Sequence, residues 1–338
     1  MDASANLEAL PRVRYGFLAS QTAYVGLALV LLSLAITWLA PAFMSIGNLI
    51  NISKNFSYVA IVSLGATLVI ITAGIDLSVG SVMALVAIVT ALLLSWLSAL
   101  PVAKVPGLPT LLSVAGGLSA AALIGLLNGY FIAVVGLTPF VTTLGMLSIC
   151  RGLAYVITQG HGLAIAGPDS RLFYALTDGS IHRLPVPLLY LLCLGGVTAL
   201  LLRHTRTGRY IYAVGGNEAS ALLAGVPVTR MKIQVYLISA LLAGFAGILM
   251  AGWLGSVPSN LATGYELRII AAAVIGGANL AGGVGGAGGA IIGSALIEVI
   301  RNGLVLARVN AYWQDTLVGV IIILAVLLDR LRSRRLGR

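Results

Sequence analysis

Residues 57–98 read SYVAIVSLGATLVIITAGIDLSVGSVMALVAIVTALLLSWLS, two apolar runs divided by Gly74, Asp76, Ser78 and Gly80. Crossing a bilayer core takes about 20 apolar residues in a helix, so each run can cross once and the divided stretch reads as two spans joined by a turn. Outward from it, apolar runs between polar or Pro/Gly breaks recur at 21–40, 57–74, 79–98, 110–129, 138–158, 186–202, 233–254, 265–280, 284–303 and 313–329. The expected fold is therefore an all-α polytopic membrane protein of about ten transmembrane helices.

Composition agrees. Of the 338 residues 59% are hydrophobic and 9% charged, against roughly 25% charged in a soluble domain, which excludes a water-soluble globule. The net charge of +10 suggests nucleic acid only until the cations are located. Arg12 and Arg14, the stretch from Arg203 to Lys232 with Arg206, Arg209 and Arg230, and five arginines in 330–338 flank spans that an even count places on one side. The opposite connections hold Lys54, Lys104, Arg171, Arg183 and Arg308. By the positive-inside rule both termini are cytoplasmic.

One transmembrane domain, 1–338, is expected: a cytoplasmic leader 1–20, a helical bundle 21–329, a cytoplasmic loop 203–232 and a basic tail 330–338. The run from Gln21 to Ala40 is long for a signal core and reads as a retained first helix. Cys150 and Cys193 lie in apolar runs without ligand spacing. His161 and His182 belong to the long external connection 159–185, and no second pair of ligand-type residues stands at useful spacing. A faint repeat relates Ala122-Leu123-Ile124 and Asn128-Gly129 to Ala295-Leu296-Ile297 and Asn302-Gly303, and Thr143-Leu144 to Thr316-Leu317. These pair the fourth and fifth spans with the ninth and tenth, an odd offset that makes the two five-helix halves inverted repeats.

Three segments invite functional readings. In the first, Asp76 and Ser78 either cap the helix opening near Val79 or face a substrate path, since an ionisable group inside a membrane needs water, a partner or freed backbone donors. In the second, Gly276-Gly277-Ala278-Asn279 runs on to Gly289; no Lys-Ser or Lys-Thr follows, so it is not a phosphate-binding loop, and small residues let helices approach closely in lipid. In the third, Gly215-Gly216-Asn217-Glu218-Ala219-Ser220-Ala221-Leu222-Leu223-Ala224-Gly225 reads as a short Asn-capped helix stopped by Gly225 and Pro227. It either docks a cytoplasmic partner or lies on the headgroups. Arg151 and Glu298 are candidates for a polar path, with Arg301 placed to pair with Glu298 on one helix face. No catalytic or metal-binding set is recognisable, which argues against a membrane enzyme. An ion-coupled secondary carrier, for which inverted repeats and Asp76 are also suitable, is the alternative transport class.

Taken in order, the 74–81 motif, Thr143-Leu144-Gly145 with Arg151-Gly152, Gly215-Gly216-Asn217-Glu218 and Ala273-Val274-Ile275-Gly276-Gly277 resemble the permease subunit of ribose-type ABC sugar importers, from about Gly47 to Asp329. Arg268 and Val284 depart from that family's usual pattern. The resemblance implies a non-enzymatic translocation subunit in the bacterial inner membrane, moving a pentose, a hexose or a small polyol such as autoinducer-2. It implies a cytoplasmic ATPase that binds ATP and Mg and docks on the helix around Glu218 to Gly225, with no cofactor in this chain. A periplasmic sugar-binding protein and a second permease copy or homologue complete the implied assembly. Asp76, Ser78, Asn128, Arg151 and Asn279 are the residues expected in the pathway or its supporting motifs.

Overall fold

A computed structural model describes residues 21–310, Pro168 excepted, and residues 313, 316, 317, 319, 320 and 323. Its helices are α1 (Gln21–Leu39), α2 (Ile46–Ile71), α3 (Val79–Ser98), α4 (Leu108–Ala133), α5 (Pro139–Thr158), α6 (Ser170–Thr177), α7 (Val186–His204), α8 (Arg206–Gly216), α9 (Glu218–Leu223), α10 (Val228–Leu254), α11 (Tyr265–Ile275) and α12 (Ala287–Leu306). Among the described residues eight of these are long and apolar enough to cross a membrane: α1, α2, α3, α4, α5, α7, α10 and α12. The protein is thus a polytopic helical bundle. Within the expected span at 265–280 the helix itself, α11, is 11 residues long, because Gly276 and Gly277 end it, the latter with φ at +105°. The expected tenth span at 313–329 lies largely outside the described residues, and the leader 1–20 and tail 330–338 wholly so.

Helix α2 starts well before its apolar run. The Ser45 side chain accepts a hydrogen bond from the Asn48 amide at 3.4 Å, and capping sets a helix start independently of hydropathy. The polar first turns then reach Lys54, which pairs with Asp178 at 2.7 Å, in the connection between α5 and α7. That connection carries α6, a β2–β3 hairpin (Ser180–Ile181 with Leu184–Pro185) and β1 (Leu163–Ala164), which pairs with β4 (Ser256–Val257) just after α10.

Helix α10 is central, packed on α2, α3 and α4, while α1 lies against α12 at the periphery. In lipid the hydrophobic effect does not favour one apolar contact over another, so association rests on close packing of small residues. Along α10 these include Ser239, Ala240, Ala243, Ala246, Gly247 and Ala251, all buried. A Cβ at Gly247 would overlap the Met83 carbonyl on α3. Gly276 and Gly289 do the same for α11 and α12, each excluding a side chain on the other.

Gly247→Ala must push α10 from α3, and we expect it to lower stability by about 1–3 kcal/mol, as overpacking does. Gly26→Ala, with nothing within 4 Å of the new methyl, should leave the thermal midpoint in detergent unchanged. Equal midpoints for the two variants would contradict backbone contact between α3 and α10.

Candidate functional site

Helix α2 stops at Ile71 inside the bundle and α3 starts at Val79. The intervening backbone must satisfy its polar groups within the protein, because lipid offers no partners. Thr72 Oγ1 donates to the Val69 carbonyl at 2.8 Å, and the Gly74 amide donates to the same carbonyl at 3.0 Å. Asp76 then takes over. Its Oδ1 accepts from the Ser78 amide at 3.0 Å and the Ser78 hydroxyl at 2.6 Å, and its Oδ2 accepts from Ser239 Oγ of α10 at 2.9 Å. Asn128 Nδ2 of α4 donates to Ser78 Oγ at 3.1 Å. Tyr236 of α10 donates its hydroxyl to the Ile75 carbonyl at 3.4 Å, and Thr143 Oγ1 of α5 lies 3.3 Å from that carbonyl.

Four helices therefore meet in one polar knot around a carboxylate only 3% exposed. Three of the expected residues, Asp76, Ser78 and Asn128, are brought together there. Both carboxyl oxygens of Asp76 are occupied by protein donors. Asn128 Oδ1 is buried without a partner among the described residues. Sequence reasoning missed Ser239 and Tyr236. Their signal is two polar side chains three residues apart where α10 turns apolar after Gln234, which is also what back-bonding to the helix produces.

The other expected residues lie elsewhere. Arg151 Nη1 donates to the Leu261 carbonyl at 2.8 Å, tying α5 to the turn before α11. Beside that turn Glu266 Oε1 accepts from the Gly264 amide at 3.2 Å, and Gly80 at the start of α3 lies under the Ala262 carbonyl and the Glu266 carboxylate. Asn279 is exposed, its Oδ1 accepting from the Ala281 amide at 2.9 Å in the glycine-rich turn. Glu298 is buried on α12.

The expected loop 203–232 is mostly helical. Asn217 caps α9, its Oδ1 accepting from the Ser220 amide at 2.9 Å, and Gly225 with φ at +80° ends the turn that follows. Gly215 and Gly216, grouped above with the short helix, form the last turn of α8; Asn217 separates the two helices with extended backbone. Glu218 is paired with Lys232 of α10 at 2.7 Å. Ala219, Ser220, Leu222, Leu223 and Ala224 are exposed, Leu223 to 90%. A cleft of about 410 Å³ opens beside α9, lined by Ile132, Gly136, Thr138, Glu218, Thr229 and Lys232 among others.

A family model described as branched-chain amino acid transport system / permease component matches residues 48–326. Among curated relatives, the chain is 39% identical to a probable ABC transporter permease of Sinorhizobium fredii over 96% of this chain and 95% of that one. It is 39% identical to the ribose import permease of Escherichia coli K12, covering 90% and 92%, and 34% identical to the galactose/methyl galactoside import permease of Haemophilus influenzae, covering 96% and 98%. No solved structure matches it significantly.

Removing the carboxylate in Asp76→Ala strands two hydroxyls and an amide in a buried site, and each unsatisfied group costs about 1–3 kcal/mol. A steep loss of thermal stability is expected. Ser239→Ala, which deletes a single donor to the Asp76 carboxyl, should cost about 0.5–1.5 kcal/mol. Asp76→Asn keeps an acceptor for the Ser78 amide and should fall between wild type and Asp76→Ala; an unfolding midpoint for Asp76→Ala equal to wild type would refute the knot's structural role.

Proposed function

The chain belongs to the branched-chain amino acid transport system permease component family, and from that membership we propose that it is the translocation subunit of an ATP-driven importer of monosaccharides. The observation that carries the reading is similarity to sugar import permeases over nearly the whole length of both chains, in a bundle that presents a capped, apolar helix on one side. A pentose or hexose fits the named cargo of these relatives, and autoinducer-2 is a further small polyol of the same chemical class.

In this reading α9 is the docking element for a cytoplasmic ATPase, which holds ATP and Mg. Leu222 and Leu223 find little to bury against in their own chain, at 63% and 90% exposure, and Leu222 continues into an apolar surface with Val226, Pro227 and Ile233, the kind of contiguous patch that marks an interaction site. A periplasmic binding protein delivers the sugar on the opposite side, where α6 and the β2–β3 hairpin lie. A second permease copy or homologue completes the pathway. Nucleotide-driven closure of two ATPases moves the docked helices and exchanges outward- and inward-facing populations.

The same reading assigns ten spans, counting α11 and the stretch 313–329, with both termini in the cytoplasm of a bacterium and the chain in its inner membrane. It makes the halves inverted repeats. Supporting this, the turn entering the third span meets the turn entering the eighth, Gly80 lying under Ala262 and Glu266, a contact compatible with a pseudo-twofold in the membrane plane. The buried asparagines of the repeat, Asn128 and Asn302, each bond a polar side chain at a helix start, Ser78 before α3 and Asn48 in the first turn of α2.

Co-expressed with the ATPase from its own operon, the chain should co-purify with it in detergent, and the complex with its binding protein should import labelled D-ribose or D-galactose when ATP is supplied. Leu223→Asp should weaken ATPase capture about tenfold or more, since burying one such side chain is worth about 1.5–3 kcal/mol. Gradient-driven uptake of either sugar by the chain alone in proteoliposomes would overturn the assignment in favour of a secondary carrier. A reporter fused after Arg338 should read as cytoplasmic.

A further inference from the structure

Between the exposed α9 and the buried Asp76 knot the backbone itself makes a continuous path. Gly215, in the last turn of α8, sits so close to the end of α2 that a Cβ there would overlap the Ile71 carbonyl and lie 2.7 Å from the Gly283 amide. That amide donates to the Ile71 carbonyl at 2.9 Å. Gly215 therefore covers a hydrogen bond that joins the C-terminus of α2 to the glycine-rich turn before α12. Tyr212, one turn earlier on α8, donates its hydroxyl to the Gly285 carbonyl at 2.7 Å. On the other side of the contact, a Cβ at Gly282 would lie 2.5 Å from the Gly215 carbonyl and 2.9 Å from Ala73 Cβ. Three backbone segments, 71–73, 212–216 and 282–285, are thus in contact.

The junction is stiff on both flanks. Toward α9, a small core of Val214, Ala221, Val226, Val228 and Met231 binds α8, α9 and the first turn of α10 together, and Glu218 is clamped to Lys232. Toward the knot, Ile211 packs with Leu68, Val69, Ile71 and Tyr236, and Tyr236 itself bonds the Ile75 carbonyl next to Asp76. Four residues separate Ile71 from Asp76. Backbone in van der Waals contact has no side chain to rotate away, so a displacement of α9 is passed on rather than absorbed.

We propose that Gly215, with Tyr212, is the positioning element through which movement of α9 reaches the break at 72–78, so that the Asp76 knot opens and closes with the docked ATPase. The proposal rests on the docking role of α9. It differs from a packing role in one respect: the link must carry a change made at α9 to residues that α9 does not touch.

The test uses the permease–ATPase complex with Cys150 and Cys193 replaced by Ser and Leu77→Cys introduced in the break, where Leu77 is partly buried. The readout is the rate of maleimide labelling, without nucleotide and after trapping with ATP and vanadate. With Gly215 and Tyr212 intact, trapping should change the rate about fivefold or more, the lower end of ordinary coupling between sites. In Tyr212→Phe, which removes only the hydroxyl, and in Gly215→Ala, the ATPase should still bind and trap nucleotide while the change in labelling shrinks toward none. Tyr212→Phe keeps the test decisive where Gly215→Ala assembles poorly. An unaltered response in Tyr212→Phe, and in Gly215→Ala where it assembles, would overturn the proposal, as would a break in the intact chain that does not respond to trapping. Failure of any ATPase to associate with the intact chain refutes the docking role of α9 instead, a separate outcome.

Discussion

A helix that ends inside a bilayer leaves carbonyls and amides that water cannot reach, and the organisation of this bundle follows from how those groups are met. At the end of α2 the Ile71 carbonyl takes the Gly283 amide, and a few residues on Asp76 takes the donors that open α3. Supplying these partners fixes where α4, α5, α8 and α10 must lie, since Asn128, Thr143, Gly215, Tyr236 and Ser239 each touch the break. The Asp76 carboxyl, bonded to no cation among the described residues, is tolerated because it satisfies backbone and side-chain donors that would otherwise be orphaned.

Much of this was legible from residue order. The run 79–98 coincides with α3 because apolar content and the end of the turn change at the same residue. Asn217 announced the short helix because an amide side chain three residues before a free N–H is how helix starts are satisfied. Hydropathy failed where it measures the wrong quantity. It saw no helix in Arg206–Gly216, whose residues alternate cationic and apolar faces, and it carried the eighth span past Ile275 because alanine and glycine count alike as apolar while only glycine permits the turn at Gly277.

The candidate site was half legible for a related reason. Asp76 and Ser78 stand out against apolar neighbours, and Asn128 stands out at the repeat. Ser239 does not, since a serine inside a spanning helix ordinarily bonds its own backbone, and its partner lies 163 residues away. Gly215 was read as part of the exposed helix because its contact with Ile71 joins distant segments and leaves no periodicity to detect. Asn279, equally conspicuous in the sequence, turns out to stabilise only its own turn.

The contacts made by backbone alone, Gly247 on Met83, Gly276 against Gly289 and Gly215 on Ile71, also bear on how such a chain can change over generations. Two side chains in contact can be exchanged together, a larger one for a smaller one and the reverse. A backbone pressed on a backbone offers no second partner whose replacement restores the fit. Drift must therefore run through side chains such as Arg151, Glu266 or Leu223, around a frame of glycines that selection can only keep.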